Sequence, residues 1–167
     1  MRLSLLAFAS LTYVTTAHAA GPLELGTGTV ELGGTATANL LIGNGSTTSW
    51  IQLNPSVGYF IADSVELLGG VNLTVSEGST GAGFTLGGRW VGTGNVRPYA
   101  GGTFGWGQTT YLDFWSVDTT AVTAMGGGLV PLGAKVALDV GARIVFIPEI
   151  DTVQIPAGYL GVSGFFP

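Results

Sequence analysis

The chain has 167 residues, of which 46% are hydrophobic and 9% are charged, with 29 Gly, no Cys and a formal net charge of -5. Soluble domains usually have about a quarter of their residues charged, so this composition argues against an ordinary soluble protein. The acidic balance argues against a nucleic-acid partner, and the absence of Cys excludes disulfide bonds and thiolate metal sites.

The N-terminus has the features of a secretory signal peptide. Arg2 supplies a positive charge, an apolar run follows it, and Ala17-His18-Ala19 has the A-x-A cleavage pattern. We expect cleavage after Ala19, which makes residues 1–19 a signal peptide, 20–28 a short lead-in and 29–167 a single domain. The apolar run is too short for a retained membrane anchor, and a lipoprotein would need a Cys after the cleavage site.

Alternation of apolar and polar residues with a period of two predicts about eight strands along the rest of the chain. A strand places alternate side chains on opposite faces, whereas a helix would scatter them around its axis. The alternation is clear in 30–42, 51–61, 65–76, 84–90, 96–106 and 135–147. Near residues 119–130 and 153–166 both faces are small or apolar, so the pattern leaves the facing of those two strands open.

Turn-forming residues separate these strands. They are Asn44-Gly45-Ser46, Ala62-Asp63-Ser64, Glu77-Gly78-Ser79-Thr80, Thr93-Gly94-Asn95, the stretch from Leu112 to Ser116, Pro131-Leu132-Gly133 and Pro148-Glu149. The resulting strands of roughly 10–14 residues have the length and even number expected of tilted strands that cross an outer membrane. The predicted fold is all-β, an eight-stranded antiparallel up-and-down transmembrane β-barrel.

The placement of charge predicts which face of the strands meets lipid. Six charged residues lie on strands opposite the apolar face: Glu31, Glu66, Arg89, Arg97, Asp139 and Arg143. So few charges would not keep the outside of a soluble barrel hydrated. A barrel of eight strands also has little room inside for large side chains. We therefore expect the aromatic residues of the apolar face to point to lipid, namely Phe84, Trp90, Phe104, Trp106 and Phe146.

Two hairpin-like stretches, NPSVGYFIADSVELLGGV and VRPYAGGTFGWG, together with the leader and an aromatic residue at the end of the last strand, carry a family resemblance. The chain resembles the small eight-stranded outer-membrane barrels, OmpA-like and OmpX-like. The resemblance implies that both termini lie in the periplasm. It also implies that Phe166 belongs to the signal read by the barrel-insertion machinery, although Pro167 follows it here.

With periplasmic termini, five of the strand charges fall at one level of the lumen: Glu31, Glu66, Arg89, Arg97 and Asp139. Arg143 lies four residues beyond Asp139, about 13 Å higher. Because buried charges are tolerated only when they are paired, we predict a salt-bridge plug. A structural network is favoured over a gated pore or proton path, since eight strands leave no open aqueous channel.

Five acidic residues lie in or beside the predicted outer loops: Glu77, Asp113, Asp118, Glu149 and Asp151. We expect them to form a solvated rim, with binding of divalent cations through carboxylate oxygens as the alternative. Tyr111, Phe114 and Trp115 lie beside this rim. They are typical of the aromatic girdle at a membrane interface, and an adhesive tip is the alternative.

No catalytic, metal or cofactor site is predicted, because the only His, His18, lies in the signal peptide and Cys is absent. We expect a non-catalytic integral outer-membrane barrel with short loops, monomeric, whose partners are outer-membrane lipid and the barrel-insertion machinery. One alternative is a narrow conduit or carrier for a small molecule across the outer membrane. The other is a soluble periplasmic lipocalin-like barrel.

Overall fold

The computed structural model describes residues 23–43, 46–111, 115–154 and 158–167. The predicted signal peptide, residues 1–19, lies outside them. The described strands are β1 (Val30–Gly43), β2 (Ser46–Ala62), β3 (Val65–Ser76), β4 (Ser79–Val91), β5 (Arg97–Tyr111), β6 (Trp115–Gly133), β7 (Val136–Ile147), β8 (Thr152–Gln154) and β9 (Tyr159–Phe166), with a 3-10 helix at Pro148–Ile150. No helix within these ranges is long and apolar enough to cross a membrane.

The strands close into a ring of eight. Each strand from β1 to β7 pairs antiparallel with the next, β7 pairs with β9, and β9 pairs with β1. The short β8 and the longer β9 share the eighth place in the ring, because both pair with β7. β8 pairs with the far end of β7, where Ile147 is opposite Thr152. This closure confirms the predicted eight-stranded antiparallel barrel.

The pairing register gives the stagger of the ring. Starting from Val136 and moving from partner to partner, the path runs through Gly164, Leu32, Val57, Gly69, Leu86, Phe104 and Val122 and returns to β7 at Phe146. The path has therefore advanced from position 136 to position 146, a shear of 10 residues. A closed barrel with such a shear has strands tilted by about 35–45° to its axis.

Apolar side chains point outward around the whole ring. Leu86 is 67% exposed, Ile51 58% and Val162 55%. The structure also gives the facing of the two strands that the sequence left open: Val122 and Leu160 point outward, whereas Leu129 and Phe165 are buried inside. A lipocalin-like barrel needs its apolar face inside, so that alternative is not favoured.

The buried apolar side chains lie together at one end of the barrel, where β1 begins and β9 ends. This end, which also carries the β2–β3, β4–β5 and β6–β7 turns, is called the N-terminal mouth below. Its core cluster consists of Leu23, Phe60, Val91, Tyr99, Leu129, Ala137 and Phe165, all at most 3% exposed. The hydrophobic core of this protein is therefore a small plug rather than a filled interior.

The predicted lead-in contributes to that core. Residues 23–29, called the strap below, precede β1 in the chain and run across the N-terminal mouth. The amide of Gly28 donates to the Phe60 carbonyl at 2.8 Å, and the amide of Glu24 reaches the Ala134 carbonyl in the β6–β7 turn at 3.2 Å. Because β1 and β6 are not neighbours in the ring, the strap closes the mouth by spanning it.

One predicted turn, Pro131-Leu132-Gly133, is wrong. β6 continues to Gly133, Pro131 pairs with Ala137, and the reversal comes at residues 134–135. The register shifts between Pro131 and Gly133, so the ladder accommodates the proline at an irregularity at the end of the strand. β6 accordingly has 19 residues, longer than predicted. The turns predicted at 44–46 and 112–116 lie largely outside the described residues.

Candidate functional site in the barrel lumen

A single guanidinium organises the lumen. Arg89 on β4 donates from Nε to Glu66 Oε2 at 2.6 Å, from Nη1 to Asp139 Oδ2 at 3.4 Å, and from Nη2 to Glu31 Oε2. The four side chains have exposures between 0% and 7%. Together they form the Arg89 cluster, which ties β4 to β1, β3 and β7.

The register and the small neighbours explain why these side chains meet. Glu66 and Arg89 are direct cross-strand partners on the inner face of β3 and β4. Glu31 is opposite Gly58 on β2, and a Cβ at Gly58 would lie 2.7 Å from Glu66 Cδ. Arg89 is opposite Gly101, where a Cβ would lie 2.7 Å from Arg89 Cα. Glycines therefore leave the room that the long charged side chains occupy.

Three hydroxyl groups complete the cluster. Tyr99 donates to Asp139 Oδ1 and lies 2.5 Å, oxygen to oxygen, from the Tyr159 hydroxyl. Ser163 Oγ donates to Glu31 Oε1 at 2.7 Å. The Arg89 guanidinium also lies 4.8 Å from the centre of the Tyr99 ring, within the range of a cation–π contact.

None of these three residues was predicted to belong to the site. Tyr99 lies two positions after Arg97, so alternation places it on the same face as that arginine. Tyr159 and Ser163 lie on the strand whose facing the sequence left open, and the structure shows Val162 pointing outward and Ser163 buried. Their chemical type gave no reason to select them. Which of the many inward hydroxyls meets a carboxylate depends on the register between strands.

Arg143 lies outside the Arg89 cluster. Its Nη2 donates to Gln52 Oε1 and, at 3.3 Å, to Thr37 Oγ1, and its guanidinium is 6.0 Å from the centre of the Tyr159 ring. Tyr159 therefore lies between the two arginines. Among the described residues Arg143 forms no ion pair, and a neutral amide and a hydroxyl surround it instead.

The expectation that Arg97 would join the charge network is wrong. Arg97 Nη2 donates to the backbone carbonyl of Leu23 at 2.6 Å and forms no ion pair within the part of the chain that the structure describes. Leu23 is 1% exposed, so its carbonyl is cut off from water and needs a donor. The plug predicted from five charges, three acids and two bases, is therefore three acids around one arginine.

The Arg89 cluster can hold strands together through ion pairs, and its carboxyl groups can bind protons. Opposite charges in a water-poor site hold four strands in one geometry, and losing one partner leaves buried charges uncompensated. No group of three or more His, Cys, Asp or Glu that could hold a metal ion occurs among the described residues.

The acidic rim residues have separate surroundings. Glu77 is exposed in the β3–β4 turn, Asp118 accepts from Gln108 Nε2 at 3.1 Å, and Asp151 is exposed with a positive φ of 45°. Glu149 accepts from the Thr120 hydroxyl at 2.6 Å and from its amide at 2.8 Å. The Thr120 hydroxyl is the main cause that lowers the pKa of Glu149 below its usual value. Asp113 lies outside the described residues.

The predicted lipid-facing aromatic residues all point outward. Phe84, Trp90, Phe104, Trp106 and Phe146 are between 37% and 54% exposed, and the rings of Phe84 and Trp106 lie 5.5 Å apart. Phe166 is 50% exposed and pairs with Val30, whereas the preceding Phe165 is buried. Trp115 is exposed at the start of β6. Phe114 and the Tyr111 side chain lie outside the described part of the chain.

Solved structures with the same architecture match most of the chain. The N-terminal β-barrel domain of OprF from Pseudomonas aeruginosa matches with a TM-score of 0.69 at 16% identity, covering 84% of this chain and 99% of that one. Neisserial surface protein A matches with a TM-score of 0.60 at 17% identity, covering 86% and 100%. The outer membrane protein OprG from Pseudomonas aeruginosa matches with a TM-score of 0.56 at 16% identity, covering 85% and 97%.

No protein-family model and no curated protein sequence matches the chain. At 16–17% identity the structural matches establish the fold and carry no residue-level roles. The chain has the fold of the small eight-stranded outer-membrane β-barrels, which confirms the resemblance predicted from its hairpins.

Proposed function

We propose that this protein is a non-catalytic integral β-barrel of a bacterial outer membrane, exported by a signal peptide that is cleaved after Ala19. The observation that carries this proposal is the outward apolar surface around a closed ring of strands, exemplified by Leu86 at 67% exposure. Water would hydrate such a surface poorly, and soluble monomers rarely expose a continuous apolar patch of more than a few hundred Å². A lipid bilayer removes that cost.

The interior supports a structural or surface role for the barrel rather than transport. The Arg89 cluster crosses the lumen, and the strap with its buried Leu23 covers the N-terminal mouth. Two successive obstructions among the described residues favour a closed lumen over an open conduit. An eight-stranded barrel has an interior just wide enough for its side chains to fill.

The proposed partners follow from the outer surface. Outer-membrane lipid contacts the apolar belt, and the barrel-insertion machinery recognises the end of β9, where Phe166 points outward. Because β9 pairs with both β1 and β7, the described strands form a closed ring, and a closed ring offers little strand edge for another copy to join, so the protein is proposed to be a monomer.

Heat-modifiability tests the location and the closed barrel together. The full chain is expressed in a Gram-negative host, membranes are separated from the soluble periplasm, and gel mobility is compared with and without boiling. We expect an outer-membrane band that shifts on boiling, with a mature N-terminus at Ala20 by mass spectrometry. A soluble band without a shift would overturn the proposal.

Planar-bilayer recordings of the purified protein test the closed lumen. We expect no steady conductance, because both obstructions are built from buried side chains. Stable single-channel conductance would assign the protein to the narrow-conduit class instead. The two experiments are independent, since a membrane barrel can be either closed or conducting.

A further inference from the structure

The Arg89 cluster contains more negative than positive charge. Three carboxylates, Glu31, Glu66 and Asp139, surround one guanidinium, and the described residues provide no second cation to the cluster. Arg97 donates a hydrogen bond to the Leu23 carbonyl instead, and Arg143 donates to Gln52 and Thr37. If every carboxyl group were ionised, the site would carry two uncompensated negative charges in a water-poor interior, which is unfavourable.

The geometry brings two of the carboxyl groups side by side. Nε and Nη2 of an arginine form one edge of the guanidinium, which in a common ion pair donates two parallel bonds to a single carboxylate. Here Nε donates to Glu66 Oε2 and Nη2 donates to Glu31 Oε2. Two separate carboxyl groups therefore share the edge of the guanidinium that usually binds one carboxylate. Two carboxyl groups at such a site do not both ionise readily, because their negative charges repel each other.

The hydrogen bonds distinguish the two partners. Glu31 accepts from Arg89 and from Ser163 Oγ, so both of its oxygens have donors. Glu66 accepts only on Oε2, and its Oε1 is fully buried with no hydrogen-bond partner. Hydrogen-bond donors favour the ionised form of a carboxyl group, so Glu31 is the better carboxylate of the pair.

We propose that the Glu31–Glu66 pair is a proton-binding site in the lumen, which holds one exchangeable proton on Glu66 at neutral pH. The bound proton leaves Glu31 and Asp139 as the two carboxylates beside Arg89 and removes one of the two uncompensated charges. The other groups that face the pair are Arg89 on β4, Tyr99 on β5, Asp139 on β7 and Ser163 on β9. None of them supplies a positive charge beyond Arg89.

Infrared spectroscopy of the mature protein, refolded in detergent micelles, tests the site directly. An exposed glutamate is less than about 1% protonated at pH 7. We expect the wild type at pH 7 to show the carbonyl stretch of one protonated carboxylic acid, and Glu66→Gln to lose it. Glu77→Gln, which changes an exposed glutamate, should retain the band. The proposal is overturned if the wild type has no such band at pH 7, or if the band survives in Glu66→Gln.

A second measurement does not depend on any variant. Because the folded barrel keeps a proton that the unfolded chain releases, the urea midpoint of the wild type should fall as the pH is raised from 7. The infrared band should disappear over the same pH range in the folded protein. A midpoint that stays constant or rises over that range, or a band that persists unchanged, would contradict a releasable proton. If Glu66→Gln folds, its midpoint should lose this dependence.

Discussion

The carboxyl group of Glu66 fills the space that a side chain at Gly58 would need. A Cβ built on Gly58 would lie 2.7 Å from Glu66 Cδ and 3.2 Å from the Cβ of Glu31. Because Gly58 on β2 has no side chain, Glu31 and Glu66 can both reach the Arg89 guanidinium. A glycine on the inner wall is here part of the charged site.

Gly58→Ala is expected to displace the Glu66 carboxyl group and to destabilise the barrel. Overpacking of a buried site usually costs about 1–3 kcal/mol, and here it also disturbs an ion pair. The free energy of unfolding in urea, measured in micelles, gives the effect. Gly133→Ala is the matched control, since nothing lies within 4 Å of its Cβ position. Equal values for the two variants would mean that the Glu66 position is not constrained by Gly58.

Arg89→Met is expected to be more damaging than any other single charge removal. It keeps an unbranched apolar stem but leaves the carboxyl groups of Glu31, Glu66 and Asp139 without their cation. Breaking a buried ion pair on one side costs about 3–5 kcal/mol. The gel shift on boiling should then begin at a lower temperature than in the wild type. Lys135→Gln, which removes an exposed charge, should leave that temperature unchanged.

Leu23→Ala is expected to loosen the strap. A Leu→Ala change in a core costs about 2–5 kcal/mol, and here detachment of the strap limits the loss to its docking free energy. Limited proteolysis followed by mass spectrometry should detect faster cleavage within residues 23–29. The neighbouring Glu24→Ala changes an exposed side chain and serves as the control. Equal protection of the strap in both variants would mean that Leu23 does not hold it.

Leu86→Arg separates a membrane barrel from a soluble one. Leu86 is 67% exposed near the middle of β4, so in water the substitution would be almost neutral. At the midplane of a bilayer, an arginine on the lipid face costs about 2–4 kcal/mol. Unfolding of the protein in lipid vesicles should show this loss. Asn95→Arg, in the exposed β4–β5 turn, should show none.

Thr120→Val tests the contact between β6 and the 3-10 helix. The variant removes the hydroxyl that lowers the pKa of Glu149, so this pKa should move upward towards its usual value. In the wild type the contact favours folding above the pKa of the unfolded chain, and that contribution is lost as the pH falls through the lower folded value. Carboxyl carbon shifts of Glu149 in an NMR titration report the change. Thr119→Val, which keeps the hydroxyl of Thr120, should leave the titration as it is in the wild type.

The charged site was only partly predictable from the sequence. Alternation places Glu31, Glu66, Arg89 and Asp139 on the face opposite the apolar one, and the small number of charges assigns that face to the interior. It places Arg97 there as well, and the structure assigns that residue to the strap instead. Which inward charges meet depends on the register between strands and on how far each side chain must reach.

The period of two, the turn chemistry and the apolar outer face are all evident in the amino-acid sequence, and they suffice to predict an eight-stranded barrel because each depends on residues near one another in the chain. The ratio of three acids to one base in the Arg89 cluster and the closure of the mouth by Leu23 are evident only in the folded protein. Both depend on contacts across a ring with a shear of 10 residues, between residues as far apart in the chain as Leu23 and Arg97. Alternation and the placement of charge together predict which side chains point inward, whereas the stagger of the closed ring determines the height of each side chain along the axis and its partners.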